Sequence, residues 1–156
     1  MRRLHGLLFF LIACYVVAFV GEQGAFQGLA TWYLTLEKPS WSLHPSAFVP
    51  VWTFSYGFLA LAGWMMWTAQ VRSTPALTLY FVLVALSGAW PWLFFSRHLL
   101  TASLIAICAA WGAAIAAGSL FVRKQPLVPL VLLPFMIWLF YGAALTITVI
   151  RMNSGS

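Results

Sequence analysis

Charged side chains are scarce in this 156-residue sequence, and acidic ones are almost absent. Two Asp/Glu stand against eight Lys/Arg, so charged residues make up 6% of the chain while hydrophobic residues make up 63%. A soluble domain carries about 25% charged residues, so this composition excludes a soluble globular fold. The abundance of apolar side chains also excludes an intrinsically disordered chain. The basic residues are scattered singly or in pairs, which argues against nucleic acid as a partner. The sequence therefore predicts an integral membrane protein.

The sequence also lacks the side-chain combinations that enzymes and metal sites use. It contains no paired carboxylates for acid–base catalysis, no Ser-His-Asp set and no glycine-rich phosphate loop. Cys14 and Cys108 have no metal-binding or redox spacing, and His5, His44 and His98 fall near the predicted membrane surfaces. We therefore predict no catalytic residues, no metal and no required cofactor, and we expect a protein that is not an enzyme.

Uncharged stretches long enough to cross a membrane alternate with the ionised residues. A transmembrane helix needs about 20 apolar residues. The polar residues 22–47, which include Pro39, Ser40 and Pro45, are predicted as one long loop between the first two helices. We predict an all-α bundle of five transmembrane helices, forming a single domain over residues 1–156, with helices near 4–21, 48–69, 76–95, 99–121 and 127–150.

The distribution of Lys and Arg predicts the orientation of the bundle. Three basic residues, Lys38, Arg97 and Arg151, fall on the side of the long loop. Positive residues concentrate on the cytoplasmic side of membrane proteins, so we predict a cytoplasmic N-terminus in a multi-pass protein of a bacterial cell membrane. The more basic, N-terminal side carries Arg2, Arg3, Arg72, Arg123 and Lys124.

Small residues form a ridge on the fourth predicted helix. Residues four apart lie on one helical face, where the lack of side-chain bulk lets a second backbone approach closely. The ridge predicts either packing inside the bundle or the seam of a homodimer, and both alternatives stay open. Its members are Ala102, Ala106, Ala110, Ala114 and Gly118.

Two tryptophans, Trp111 and Trp138, fall near the middle of their predicted helices. A buried indole N–H needs a hydrogen-bond partner, so we expect both to point into the bundle or toward a ligand, with plain core packing as the alternative. Pro91 and Pro134 interrupt two predicted helices and would kink them, which opens space between helices.

Three segments carry a resemblance to a known family. The run from Trp32 to Trp41, WYLTLEKPSW, and the following FVPVW from Phe48 to Trp52 resemble the W-Y-x-x-L-x-K-P-x-W … F-x-P-V-W signature of the TspO/MBR family of tryptophan-rich sensory and translocator proteins. The segment LSGAWPWLFF in the third predicted helix is similar to that family's L-N-x-x-W-x-x-x-F-F segment. The fifth helix contains PFMIW and ends with Arg151-Met152-Asn153, similar to P-Y-x-x-W … R-x-N.

The resemblance implies a cavity between the helices, covered by the first loop, that accepts tetrapyrroles and flat hydrophobic molecules. Ser87 and Thr146 stand where the family usually has asparagine, and Gly142 stands where alanine is usual, so the pocket is expected to be less polar. The ligands it implies are protoporphyrin or haem, with carotenoid, quinone or sterol ranked lower. The expected partners are membrane lipids, this hydrophobic small molecule and a second copy in a homodimer. The residues that match the family's pocket are Tyr33, Trp52, Ser87, Trp90, Trp138 and Gly142.

Three hypotheses for function follow. The first is a membrane binding protein for tetrapyrrole-like or other planar hydrophobic ligands, acting in sensing, transport or scavenging. The second is a non-catalytic packing subunit of a larger membrane complex, because loss of both asparagines could accompany closure of the cavity. The third is photodegradation of porphyrin that depends on Trp52 and Trp138.

Overall fold

The computed structural model describes residues 2–69, 74–123 and 125–153, and within these ranges the chain is helical and contains no strand. A π-helical turn at Trp92–Ser96, here called the π turn, continues directly from the end of α4. The α-helices are α1 Arg2–Ala30, α2 Trp32–Thr35, α3 Pro45–Thr68, α4 Thr74–Pro91, α5 Leu100–Ser119 and α6 Leu127–Asn153.

Five of these elements are long and apolar enough to cross a membrane: α1, α3, α4 with the π turn, α5 and α6. The predicted all-α membrane fold with five spans is therefore confirmed. Arg72 and Lys124, which the orientation argument counted, lie outside the described residues. The cytoplasmic placement of the N-terminus stays a prediction.

The long loop predicted at 22–47 is wrong over its first part. Helix α1 has 29 residues and continues to Ala30, and the short helix α2 follows it. Only residues 36–44, here called the linker, are non-helical between α2 and α3. The polar residues near Glu22 resemble a loop locally, but Ala25 and Leu29 on the same stretch are buried against the bundle, and this packing keeps the helix intact. Local polarity was therefore a poor guide, because tertiary packing decides whether a helix persists.

Helix α1 packs through a face of small residues. Cys14, Ala18 and Ala25 are almost completely buried on this face. A methyl group added to Gly28 would collide with the carbonyl oxygen of Phe95, and one added to Gly24 would come within 2.6 Å of the Trp92 ring. The backbone of α1 therefore lies directly against the π turn, an approach that larger side chains would prevent.

The π turn begins immediately after Pro91, where we predicted a kink. The backbone N–H of Arg97 donates to the carbonyl of Trp92 at 2.9 Å, a wider turn than that of an α-helix. This turn directs two side chains to the backbone of α1: the Trp92 indole donates to the Val20 carbonyl at 2.9 Å, and the Ser96 hydroxyl donates to the Gly24 carbonyl. The π turn and α1 are thus joined by hydrogen bonds as well as by close packing.

The ridge on α5 packs within this chain. Ala106, Ala110 and Ala114 are buried, and a methyl group on Gly118 would lie 3.6 Å from Pro129 of α6. Ala102, at the start of the ridge, is partly buried. Helices of the same chain cover this face, so it is not free to form the seam of a homodimer. A homodimer through another surface stays a prediction.

Replacing a glycine by alanine should change stability in opposite ways at a packed position on α1 and at an open position on α5. Gly28→Ala should lower the free energy of unfolding by about 1–3 kcal/mol, because the added methyl meets backbone atoms that cannot turn aside. Gly112→Ala should leave it unchanged or raise it slightly, because nothing lies within 4 Å of that position and alanine favours the helix. Thermal unfolding of the two variants in detergent measures both effects. Equal stability of the Gly28→Ala variant and the unmodified protein would contradict this packing.

Candidate functional site

Three tryptophans from three helices meet in the middle of the bundle. The ring centroid of Trp52 on α3 lies 6.3 Å from that of Trp90 on α4 and 6.2 Å from that of Trp138 on α6. All three side chains are at least nine-tenths buried. The resemblance predicted that these residues share a pocket, and the structure brings them together.

The space that remains between them is small. It has a volume of about 10 Å³, enough for a single water molecule. Tyr33 does not line this space, whereas the other five predicted pocket residues do. The complete lining consists of Trp52, Tyr56, Ser87, Trp90, Ile107, Phe135, Trp138, Leu139 and Gly142. The structure therefore holds the predicted site in a nearly closed form.

Ile107 of α5 does much of the filling. Its Cδ1 atom lies so close to Gly142 that a methyl group added to that glycine would come within 2.5 Å of it. The glycine on α6, where the family usually has alanine, thus leaves room for the isoleucine. Sequence reasoning missed Ile107, because an isoleucine in a transmembrane helix carries no signal that separates a pocket residue from a lipid-facing one.

The hydroxyl groups that replace the two asparagines are occupied by nearby partners. Ser87 donates to the Val84 carbonyl at 2.9 Å and therefore accepts from the Tyr56 hydroxyl at 3.0 Å. Thr146 donates to the Gly142 carbonyl at 2.7 Å and accepts from the Trp90 indole at 3.3 Å. Such bonds to a helix's own backbone are typical of serine and threonine.

The indole N–H of Trp52 differs from its neighbours. It is buried, and no hydrogen bond of normal geometry satisfies it in the described part of the chain, although the side chain of Tyr56 lies close by. An unpaired buried donor costs about 1–3 kcal/mol, so a ligand that offers an acceptor here would recover that free energy. Among the described residues around the cavity, this donor is the polar group that remains available to a guest.

A groove on the outer surface adjoins the closed cavity. It lies between the end of α1 and the start of α3, has a volume of about 460 Å³ and is lined mainly by apolar side chains such as Leu29 and Phe48, with Glu22 at its edge. Phe26 and Val49 on its rim are exposed, so the groove opens toward the surroundings of the bundle. Trp52 lines both the groove and the inner cavity. Sequence reasoning missed the groove because it assigned residues 22–30 to a loop.

Tyr33 lies one layer above the tryptophans, toward the linker. Its ring is fully buried and packs edge-on against Phe48 and Phe95, with centroids 5.7 and 5.6 Å away, and Phe48 in turn contacts Trp138. Burial raises the pKa of the Tyr33 phenol to about 12, so the group stays protonated near neutral pH. No hydrogen bond of normal geometry satisfies its hydroxyl among the described residues, although Ser42 lies close by.

Lys38 fixes the end of α2, which carries Tyr33. Its ammonium group donates to the carbonyls of Tyr33 and Leu36, both at 2.7 Å, and lies 5.0 Å from the centroid of the Tyr33 ring. The last carbonyls of a helix lack partners within the helix, and the lysine supplies them. The lysine of the K-P pair in the signature thus has a structural role: it binds the carbonyls at the end of α2.

The linker is attached to the C-terminal half of α6. The side-chain amide of Asn153 accepts from the backbone N–H of Glu37 at 3.1 Å and donates to its carbonyl at 3.0 Å. The N–H of Leu43 donates to the Tyr141 hydroxyl at 2.8 Å. In the sequence, Asn153 stands out only as part of the R-x-N match. In the structure it holds the linker over the aromatic core.

One inward prediction is wrong. Trp111 is 36% exposed on the outer surface of the bundle, and its indole donates to the Met136 carbonyl at 3.2 Å. A carbonyl of the neighbouring helix thus satisfies this N–H without burying the ring. Trp138, in contrast, lies inside as expected.

Comparison with known proteins agrees with this arrangement of helices and tryptophans. Residues 10–152 match the sequence pattern of the TspO/MBR family. The chain belongs to the TspO/MBR family. The translocator protein of Homo sapiens is 30% identical over 152 residues, which cover 94% of this chain and 89% of the relative. The protein CrtK of Rhodobacter capsulatus is 30% identical, covering 94% and 91%. The tryptophan-rich protein TspO of Archaeoglobus fulgidus is 25% identical, covering 92% and 94%.

Membership of the TspO/MBR family supports a sensory or ligand-binding role for an integral, multi-pass membrane protein. The five apolar helices agree with that placement.

The attachment of the linker predicts that Asn153 controls its opening. Asn153→Ala removes two hydrogen bonds to Glu37, and each is worth about 1 kcal/mol. We expect hydrogen–deuterium exchange in the linker to become about thirtyfold faster, the factor that a total loss of about 2 kcal/mol gives. Thr148→Ala is the matched control, because its hydroxyl donates to the Ala144 carbonyl within α6 and makes no hydrogen bond to the described residues of the linker. Equal exchange in both variants would show that Asn153 does not hold the linker.

Proposed function

We propose that this protein binds planar hydrophobic ligands of the tetrapyrrole type between its helices and acts in sensing, transport or scavenging. The observation that carries the proposal is the meeting of Trp52, Trp90 and Trp138 around a buried, unpartnered indole N–H. Indole rings stack on planar π systems, and an apolar pocket needs only a few polar groups to orient its guest.

The hydrogen bonds at the site favour some guests over others. The hydroxyls of Ser87 and Thr146 already have partners, so the Trp52 N–H selects a guest with an acceptor atom. The ring nitrogens and carboxylates of a porphyrin provide such atoms, and so do the carbonyls of a quinone. A pure hydrocarbon such as a carotene provides none and would leave the donor unpaired.

Binding requires the site to open, because a space of about 10 Å³ cannot hold a planar ligand. The groove between α1 and α3 has about 460 Å³, which lies within the usual range of ligand pockets. Trp52 separates the two, so rotation of its indole would join the groove to the aromatic cluster. The proposed entry route is therefore lateral, from the bilayer between α1 and α3.

A second candidate function is supported by the near closure of the cavity. A protein whose interior stays filled could serve as a packing subunit of a larger membrane complex. Extraction in a mild detergent followed by native mass measurement distinguishes the two: a foreign protein in fixed stoichiometry supports the second function, and a bound small molecule supports the first.

Titration with protoporphyrin, followed by quenching of tryptophan fluorescence, tests the proposed site. Trp52→Phe should weaken binding about fivefold, because the variant loses the free N–H donor, worth about 1 kcal/mol. Trp111→Phe is the control, since Trp111 lies on the outer surface with its N–H bound to Met136. Equal affinity of these two variants would overturn the assignment of Trp52.

The closed state makes a separate prediction for Ile107. Ile107→Ala should strengthen protoporphyrin binding, because the guest no longer has to displace the side chain that fills the cavity. Ile105→Ala on the same helix is the control, since that side chain is 66% exposed. Weaker binding in the Ile107 variant, with its fold retained by circular dichroism, would show that the isoleucine supports the guest instead of excluding it.

A further inference from the structure

A larger cavity lies at the end of the bundle remote from the linker. It is formed by the beginning of α1, the end of α3 and the beginning of α4, and its volume is about 980 Å³. None of the nine residues around the inner tryptophan cavity lines it, so it is a separate site. This cavity could not be predicted from the sequence, because its walls come from three different helices.

The lining of this cavity is amphipathic. Phe9, Trp67, Leu77 and Phe81 provide apolar walls, and Arg3 and His5 lie at the polar end. An arginine side chain keeps its positive charge at any physiological pH. The cavity therefore suits a molecule with an apolar body and an anionic group.

Nothing acidic offsets this charge nearby. The two acidic residues of the whole chain are Glu22 and Glu37. Glu37 lies in the linker at the opposite end of the bundle, and Glu22 lies about 28 Å from Arg3 along α1, at 1.5 Å per residue. No carboxylate side chain therefore competes with a bound anion for the guanidinium group of Arg3.

The cavity is accessible from the side of the bundle. Phe9 and Phe81 are 56% and 43% exposed although they line it, and Arg3 is also exposed. The start of α1 is held in place there, because the Trp64 indole donates to the Arg3 carbonyl at 2.9 Å. A lipid in the adjoining leaflet can therefore reach both the apolar walls and the guanidinium group.

We propose that this cavity binds one anionic phospholipid, with its phosphate group at Arg3 and an acyl chain along the wall of Phe9, Leu77 and Phe81. The positive charge of Arg3 suits the headgroup of such a lipid, and the apolar wall suits its acyl chain. The cavity also lies at the end of a membrane span, which is the depth at which lipid headgroups lie. A volume of about 980 Å³ accommodates part of one lipid molecule. The site is independent of the proposed tetrapyrrole site.

Native mass spectrometry of the full-length protein tests this proposal. The protein is equilibrated with equal amounts of phosphatidylglycerol and phosphatidylcholine of the same chain length, and the lipids retained after delipidation are counted. We expect one phosphatidylglycerol to be retained in preference to phosphatidylcholine. Arg3→Gln should reduce this retention about tenfold, the loss expected when one hydrogen bond between charged groups is removed.

Two further variants separate a specific site from general attraction. Arg123→Gln removes the same charge from an exposed residue just beyond α5, on the side of the bundle that carries Arg3, and Arg123 does not line the cavity. It should leave retention unchanged. Leu77→Trp should reduce retention, because the larger ring would obstruct the wall along which the acyl chain is proposed to lie, with the helical content intact by circular dichroism.

Equal losses in the Arg3 and Arg123 variants would overturn the proposal in favour of nonspecific surface attraction. Equal retention of the two phospholipids would overturn the role of charge. Full retention in a folded Leu77→Trp variant would place the lipid elsewhere and overturn the site.

Discussion

The close contact between α1 and the π turn is the constraint on which the aromatic core depends. Because Gly24 and Gly28 have no side chain, the α1 backbone can lie against the ring of Trp92 and the carbonyl of Phe95. That contact holds the π turn in place, and the π turn places Phe94 and Phe95 in the core. Tyr33 then packs on Phe95, and Phe48 joins this layer to Trp138. The two glycines of α1 thus influence where large side chains lie on four other elements: the π turn, α2, α3 and α6.

Contacts of a few side chains leave the inner cavity almost filled. Ser87 and Thr146 turn their hydroxyls to backbone carbonyls of their own helices, so they present no free amide to a guest. Gly142 gives Ile107 the room to enter. The site therefore has large aromatic surfaces and almost no empty volume. In the proposed function, a guest must compensate for displacing packed side chains, and stacking on the three indoles is one contribution available to it.

The sequence predicted those parts of the structure that depend on composition and on recognisable motifs. The scarcity of charge between Arg3 and Arg151 was enough to predict the number of helical spans. The tryptophan motifs were enough to predict that Trp52, Trp90 and Trp138 share one site. The continuation of α1 through Glu22 could not be predicted in the same way, because it depends on the packing of Ala25 and Leu29 against the bundle, where Gly28 lies close to a carbonyl 67 positions further on. The role of Ile107 and the cavity at Arg3 were not predicted for the same reason, because both depend on contacts between helices.

The hydrogen bonds of the tryptophans indicate which of them can move when the site opens. Rotation of Trp90 would break its bond to Thr146, and rotation of Trp92 would break its bond to the Val20 carbonyl. Trp52 has no such bond to lose, and it is the indole that lines both the outer groove and the inner cavity. Its movement is opposed by packing, including the approach of its ring to Gly21, but by no hydrogen bond of its indole. In the proposed function, the same unpaired N–H that makes Trp52 the easiest indole to turn also makes it the one that gains a hydrogen bond when a ligand with an acceptor arrives.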